Sequence, residues 1–429
     1  MCRPPEVRTQ LSRPLRRYVC VAKKAAALRS GCELSSGLLD VEIASGWTVD
    51  VSESRVTAAG TMRCRIVSYT TRRGETFERD GWVSGKLFSY DGLAGHANPA
   101  RVLEPEPEPE PEAAAGEVPF AAVFGAPTGK GNVMLFPGQG AQKVGMLAPY
   151  ADTPGVKAMF EEASEVFGAD LLELVTKGPA ETLNDTRFSQ VCVFLTSMAA
   201  VMKLARDDPK AVGACAVTAG FSLGEYSALT FAGVMGLKTA LTLLKLRGEA
   251  MGAACDLAPS GMMTVIGLED DALRGLMPAD VSIANQMFPK GRVLSGSKAG
   301  IADVEREIKA LNLPGVKTIV QPVSGAFHSP FMATAADKLE EALASARFAV
   351  PARVCYSNVT AKPHDMDVDS IKQKMCEQLM AGVLWEDTIA DMAKRYPDTA
   401  SFYEPAPGRQ LTSMMRRIDP ANAAKMKSV

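Results

Sequence analysis

Histidine is scarce in this chain, with three residues in 429: His96, His328 and His364. That scarcity leaves no material for a histidine-rich metal centre, and any histidine base has few candidates. The nine cysteines are scattered and odd in number, with no C-x-x-C and no Cys/His cluster at metal-ligand spacing. This argues against a disulfide framework or a zinc site and for reduced thiols in an intracellular compartment, so no metal is expected. Neither sign of charge is in excess: 47 Lys and Arg face 49 Asp and Glu, for a net −2. No global field therefore points to nucleic acid or an anionic membrane, and neither is expected as a partner. No unbroken apolar run approaches the ~18 residues of a spanning helix, so a soluble chain is expected. What is present is ordinary for a large core, 47% hydrophobic and 22% charged residues, in a length that suits two or three units.

The chain divides at a low-complexity run, Glu104 to Glu112, which reads EPEPEPEPE. Alternating proline and like charge hold such a run near polyproline II, roughly 28 Å long at ~3.1 Å per residue. Residues 104–116 therefore read as a linker. Before it, residues 1–30 carry eight Lys/Arg against the single acid Glu6, a composition that suits a transit peptide. A mitochondrial destination is expected, with plastid or cytoplasm as alternatives. Residues 40–100 read as a small β-rich module, with short runs such as Val41–Ile43, Arg63–Tyr69 and Trp82–Val83 between turn formers. Within it, Asp80-Gly81-Trp82-Val83-Ser84 is similar to the end of an SH3-like barrel.

From residue 131 onward the pattern is α/β. The apolar run Val133–Phe136 leads into Pro137-Gly138-Gln139-Gly140, helical periodicity follows in Val156–Phe167 and Val191–Ala205, and a second buried strand is expected near Ala214–Ala219. The segment at about 258–322 reads strand, helix, strand, strand, helix, strand, the order of a ferredoxin-like unit. It is expected as a small subdomain inserted in the large one, and a C-terminal helix is expected from near Arg409.

The candidate chemistry begins at Ser222. Gly220-Phe221-Ser222-Leu223-Gly224 falls between a buried strand and a helix, where flanking glycines permit the sharp turn that exposes a nucleophilic hydroxyl. Of the three histidines, His96 lies before the linker in a Gly/Asn/Pro loop. His364 follows Lys362-Pro363 and precedes acids, which reads as a solvated loop. His328, in Gly325-Ala326-Phe327-His328-Ser329, follows a strand and opens a helix, where α/β enzymes place catalytic groups. The glycine-flanked turn Pro137-Gly138-Gln139-Gly140 can present main-chain N–H groups to an oxyanion, and the N–H of Leu223, the residue after the serine, is a second candidate donor.

Three segments, Leu135-Phe136-Pro137-Gly138-Gln139-Gly140-Ala141-Gln142, Gly220-Phe221-Ser222-Leu223-Gly224-Glu225-Tyr226 and Gly325-Ala326-Phe327-His328-Ser329, together resemble the signatures of malonyl-CoA:acyl-carrier-protein transacylases. The likeness extends over about residues 131–420 and includes Ser357-Asn358-Val359-Thr360, Gly382-Val383-Leu384-Trp385, Pro407-Gly408-Arg409-Gln410-Leu411, and Arg247 on a helix Leu237–Cys255. The resemblance implies an α/β-hydrolase-like large subdomain and a Ser222–His328 dyad, with Gln139 and Leu223 as the oxyanion hole. It also implies Arg247 for the malonyl carboxylate and a main-chain carbonyl near Leu384 to orient His328. The substrates would be malonyl-CoA and the phosphopantetheine thiol of an acyl carrier protein in fatty acid synthesis, with no cofactor, and the enzyme a monomer. Relatives often carry histidine at Phe221 and glycine at Ala406, and the compact bacterial members have no counterpart of the first 115 residues. The alternatives are an acyltransferase of a polyketide pathway, a serine thioesterase or hydrolase using the same dyad, and an interaction role for the β module.

Overall fold

In the computed structural model the chain forms two units, Met1–Gly116 and Glu117–Val429. The described residues are 131–429 except 324, together with Phe124, Pro127 and the backbone of seven strands between residues 16 and 90. His96 and the linker 104–116 lie outside them, as do the turn formers expected between the first strands.

The first unit is one antiparallel sheet. Its strands are β1 (Arg16–Cys20), β2 (Ala26–Arg29), β3 (Leu38–Ile43), β4 (Thr48–Val56), β5 (Met62–Thr70), β6 (Thr76–Ser84) and β7 (Phe88–Tyr90). They lie in the order β3-β2-β6-β5-β4-β1-β7. β1 pairs with β4 and β7, and β2 with β3 and β6. Part of the stretch read as a leader thus contributes strands to the sheet. Asp80–Ser84 ends β6, which pairs with β5 on one side and β2 on the other.

The second unit is built on a parallel sheet of β14 (Val354–Cys355), β9 (Cys215–Gly220), β8 (Asn132–Phe136), β15 (Ser401–Glu404) and β16 (Met426–Ser428), in that spatial order. Strands buried on both faces need apolar side chains at successive positions. β8 meets this need: Met134 and Phe136 enter one hydrophobic cluster, Val133 and Leu135 the other. The pattern of the last 30 residues announces only the helix, which runs Gln410–Ile418; β15 and β16 are additional.

The helix Thr186–Asp207 is apolar and long enough to span a membrane by length and composition, which differs from the sequence expectation. Interspersed Ser and Thr break the apolar run as a string, and 72% of its most hydrophobic window is buried inside the protein. It is a core helix, and its residues Val191 to Val201 are all buried.

The second sheet contains β10 (Ser260–Ile266), β11 (Val281–Phe288), β12 (Gly291–Ser297) and β13 (Lys317–Val320) in the order β11-β12-β10-β13, all antiparallel. Helices Asp270–Leu276 and Lys298–Leu311 connect them. Leu273, Ile301, Val304 and Ile308 close a separate core with Met263, Val265 and Leu294. The chain leaves the large sheet after the helix Leu237–Leu257 and returns to it at β14.

Candidate active site

β9 ends at Gly220, and the helix Gly224–Phe231 starts four residues later. The turn between them is too tight for side chains at its ends. A Cβ on Gly220 would lie 1.8 Å from the Gly224 carbonyl carbon, and one on Gly224 would lie 2.2 Å from the Phe136 oxygen. Ser222 takes a left-handed backbone, φ 51°. Asn358 clasps the turn: its Oδ1 accepts from the Ser222 amide at 2.6 Å and its Nδ2 donates to the Gly220 carbonyl at 2.7 Å.

The hydroxyl of Ser222 meets His328 Nε2 at 2.7 Å. His328 Nδ1 lies 2.7 Å from the main-chain oxygen of Gln378. A carbonyl can only accept, so Nδ1 carries the hydrogen and Nε2 is left bare, the tautomer that can take a proton from serine. Burial first, and the charge of Arg247 second, push the imidazole down to about 4, against the opposing pull of main-chain groups at Gln378 and Ala381. The ring is therefore a neutral acceptor throughout the neutral range.

The orienting carbonyl belongs to Gln378, not to Leu384, and the sequence expectation is corrected on this point. Leu384 is committed elsewhere: its amide donates to Asn358 at 3.0 Å and its carbonyl accepts from the Thr388 amide and hydroxyl. It caps the helix Trp385–Arg395. Gln378 instead follows the helix Val368–Glu377, where its carbonyl is free of that helix's ladder.

Arg247 is buried on the helix Leu237–Leu257. Its guanidinium donates to Gln190 Oε1, to Gln378 Oε1 at 3.2 Å, and reaches Ser222 Oγ at 3.5 Å. Among the described residues no carboxylate pairs with it, and its Nε has no acceptor. Burial lowers its pKa, against the pull of Tyr226 and Glu225. A buried cation held by neutral acceptors beside a serine hydroxyl is a ready receptor for an anion.

The Pro137–Gly140 turn abuts the Ser222 turn: the Phe221 amide donates to the Phe136 carbonyl at 2.9 Å, and a Cβ on Gly138 would meet the Phe221 oxygen at 2.5 Å. Among the described residues, neither the Gln139 nor the Leu223 amide donates to a protein acceptor. The Gln139 side chain is tied to Thr186 Oγ1 at 3.1 Å, which leaves its amide as the group available to a ligand.

One family matches residues 133–417, described as an acyl transferase domain. The chain belongs to the acyl transferase domain family. It is 35% identical over 309 residues to the probable malonyl-CoA-acyl carrier protein transacylase, mitochondrial, of Drosophila melanogaster, covering 68% of this chain and 80% of that one. It is 36% identical over 294 residues to the malonyl CoA-acyl carrier protein transacylase of Escherichia coli, covering 66% and 91%. Among solved structures, the malonyl-CoA:acyl carrier protein transacylase of Xanthomonas oryzae is similar with a TM-score of 0.65 and 31% identity, over 70% of this chain and 94% of that one. A malonyl-transacylase solved in complex with its type II polyketide synthase acyl-carrier protein gives a TM-score of 0.63 and 33% identity, over 70% and 95%.

Several members of this acyltransferase's polar network carry no sequence signal of their role. Gln378 stands in no quoted motif, and Glu225, although it stands in the Gly220–Tyr226 segment, is given no role by it. His364 was expected in a solvated loop, yet its side chain is fully buried and its Nε2 lies 2.7 Å from Glu225 Oε1. The loop is drawn inward by its main chain, where the His364 amide donates to the Cys355 carbonyl of β14 at 2.7 Å. Among the described residues no group of three or more metal-ligating side chains occurs.

Proposed function

We propose that this acyltransferase moves malonyl from malonyl-CoA to the phosphopantetheine thiol of acyl carrier protein, in fatty acid synthesis, through an ester on Ser222. One observation carries the reading: an arginine with no carboxylate partner among the described residues lies 3.5 Å from a serine hydroxyl that is itself 2.7 Å from a neutral histidine. Arg247 receives the carboxylate that distinguishes malonyl from a simple acyl group, and leaving that anion unpaired in a closed site would cost several kcal/mol.

His328 Nε2 takes the Ser222 proton as Oγ bonds to the thioester carbon. The Gln139 and Leu223 amides hold the resulting oxyanion. Collapse breaks the carbon–sulfur bond, and the departing CoA sulfur takes the proton from His328. In the second half the carrier thiol gives its proton to His328 and attacks the ester, and Ser222 recovers a proton as it leaves. Every group needed is a side chain or amide of one chain, which supports a monomer that works without a cofactor. The names of the animal relatives support a mitochondrial location.

The large parallel sheet reads as α/β-hydrolase-like, and the β10–β13 unit as a ferredoxin-like insertion, supported by its strand order. Residues 104–116 read as a spacer between the β module and the acyltransferase. The test is intact-mass analysis with malonyl-CoA: a malonyl adduct on Ser222 that is discharged by carrier protein is expected. An adduct discharged only to water would identify a hydrolase.

A further inference from the structure

Behind the dyad runs a line of buried polar contacts that the transfer steps do not use. Glu225, one turn after Ser222, is enclosed, and its Oε1 faces His364 Nε2 at 2.7 Å. Its Oε2 accepts from Gln378 Nε2 at 2.5 Å and from the Asn358 amide at 3.3 Å. Gln378 Nε2 also donates to the Ser222 carbonyl at 3.1 Å, while its Oε1 accepts from Arg247. The carboxamide therefore has one possible orientation, nitrogen toward two acceptors and oxygen toward a donor. Its main chain holds His328. A carboxylate is acceptor-only, so His364 must present Nε2–H to Glu225, and its Nδ1 has no partner among the described residues.

We propose that His364 is a positioning residue for acyl transfer: its hydrogen bond fixes the Glu225 carboxylate, which locks Gln378, and Gln378 in turn aligns His328 and Arg247. The inference rests on the reading of Ser222 and His328 given above. Without the imidazole donor, one Glu225 oxygen is buried with its partner lost, and the carboxylate is no longer held in one orientation. A carboxylate that can turn holds the Gln378 amide weakly, so the orienting carbonyl and the Arg247 contact drift together. Other titratable groups about this pair are Arg247, Tyr226 and Cys355 around Glu225, and Asp365 beside His364.

The experiment is rapid-quench intact-mass measurement of malonyl adduct formation over a range of malonyl-CoA concentrations, on the full chain, for wild type, His364→Phe and His364→Gln. Wild type without an adduct would overturn the parent reading. With wild type active, His364→Phe is expected to slow acylation by about tenfold or more at neutral pH, in keeping with the cost of small misplacements. The loss should show at saturating malonyl-CoA, where His328 is misaligned, and the KM for malonyl-CoA should rise with it, because the Arg247 contact drifts too. His364→Gln, which restores an N–H donor, should recover most of the rate. Should the phenylalanine chain not fold, His364→Val removes the donor without adding volume and carries the same comparison. A folded donorless variant with the wild-type rate would overturn the proposal. So would a rate loss that glutamine does not recover, which would mark His364 as packing alone.

Discussion

Ser222 and His328 share an unfavourable backbone: both sit in the left-handed region, at φ 51° and 57°, and their side chains meet at 2.7 Å. L-residues pay for that conformation, typically of order 1–2 kcal/mol each, and two such residues in contact mark a place where the fold holds side chains against local preference. The turn around Ser222 is held by the Asn358 clasp and by glycines with no room for a Cβ.

The nucleophile can be separated from its backbone cost. Ser222→Ala should abolish the malonyl adduct and carrier acylation while leaving the fold intact. Ser222→Gly should be equally inactive but more stable than the alanine variant by about 1 kcal/mol, because glycine takes positive φ without strain. Thermal or denaturant unfolding of the two variants checks the second point, and intact mass checks the first. Equal stability of the two would mean that the turn stores no strain.

His328 links pH to stability. Its pKa is about 4 in the folded chain against an ordinary 6.5. Above pH 6.5 the ring is neutral folded or unfolded, and it neither favours nor opposes folding. Between 6.5 and about 4 only the unfolded chain binds the proton, so stability falls as pH falls, by about 3 kcal/mol over the window. Below that both states are protonated and this loss stops. Urea unfolding at a series of pH values should show the slope, and His328→Gln should flatten it. The same low value means that acylation should not lose its base until the pH nears 4.

The legible parts of the site are those the chain must write as local patterns. A turn that excludes Cβ atoms needs Gly220 and Gly224 at fixed offsets from Ser222, and a histidine base in a histidine-poor chain could be found by elimination. Gln378 was not legible, because its decisive group is a main-chain carbonyl that any residue possesses. The resemblance points to Leu384, and only the helix it caps shows that its carbonyl is occupied. His364 misled for a similar reason: Lys362-Pro363 and the acids after it read as solvent-facing, whereas a main-chain bond to β14 turns the imidazole inward. β15 and β16 escaped notice because strands of four and three residues are too short to show a period.

The β module can be tested by removal. All the groups of the site lie in the unit Glu117–Val429, and the relatives named above match only 66–70% of the chain. A chain beginning at Glu117 should fold and acylate Ser222 at a rate close to that of the full protein. A folded truncation that had lost most of its acylation rate would show that residues 1–116 help to form or gate the site.

Arg247 gives the sharpest test of substrate class. In the free protein its guanidinium is held by the amide oxygens of Gln190 and Gln378 and lies over the Tyr226 ring, 5.4 Å from the centroid. These neutral acceptors take hydrogens from Nη1 and Nη2 but do not cancel the charge, and Nε has no acceptor, so a substrate carboxylate gains a bidentate partner and balances a buried cation. Arg247→Ala should cut malonyl transfer by ~10²-fold or more, in line with ~3 kcal/mol for truncating one partner of a buried charge pair. Acetyl transfer should fall far less, or rise, since an apolar acyl group no longer faces a stranded cation. Arg247→Lys should rescue only in part, because an ammonium supplies charge without the planar fork. Steady-state transfer from malonyl-CoA and acetyl-CoA, measured side by side, separates the cases. Equal losses with both donors would make Arg247 a structural residue and would remove the main support for a malonyl substrate. A selective loss would place the carboxylate on the guanidinium, within reach of the serine that carries the ester.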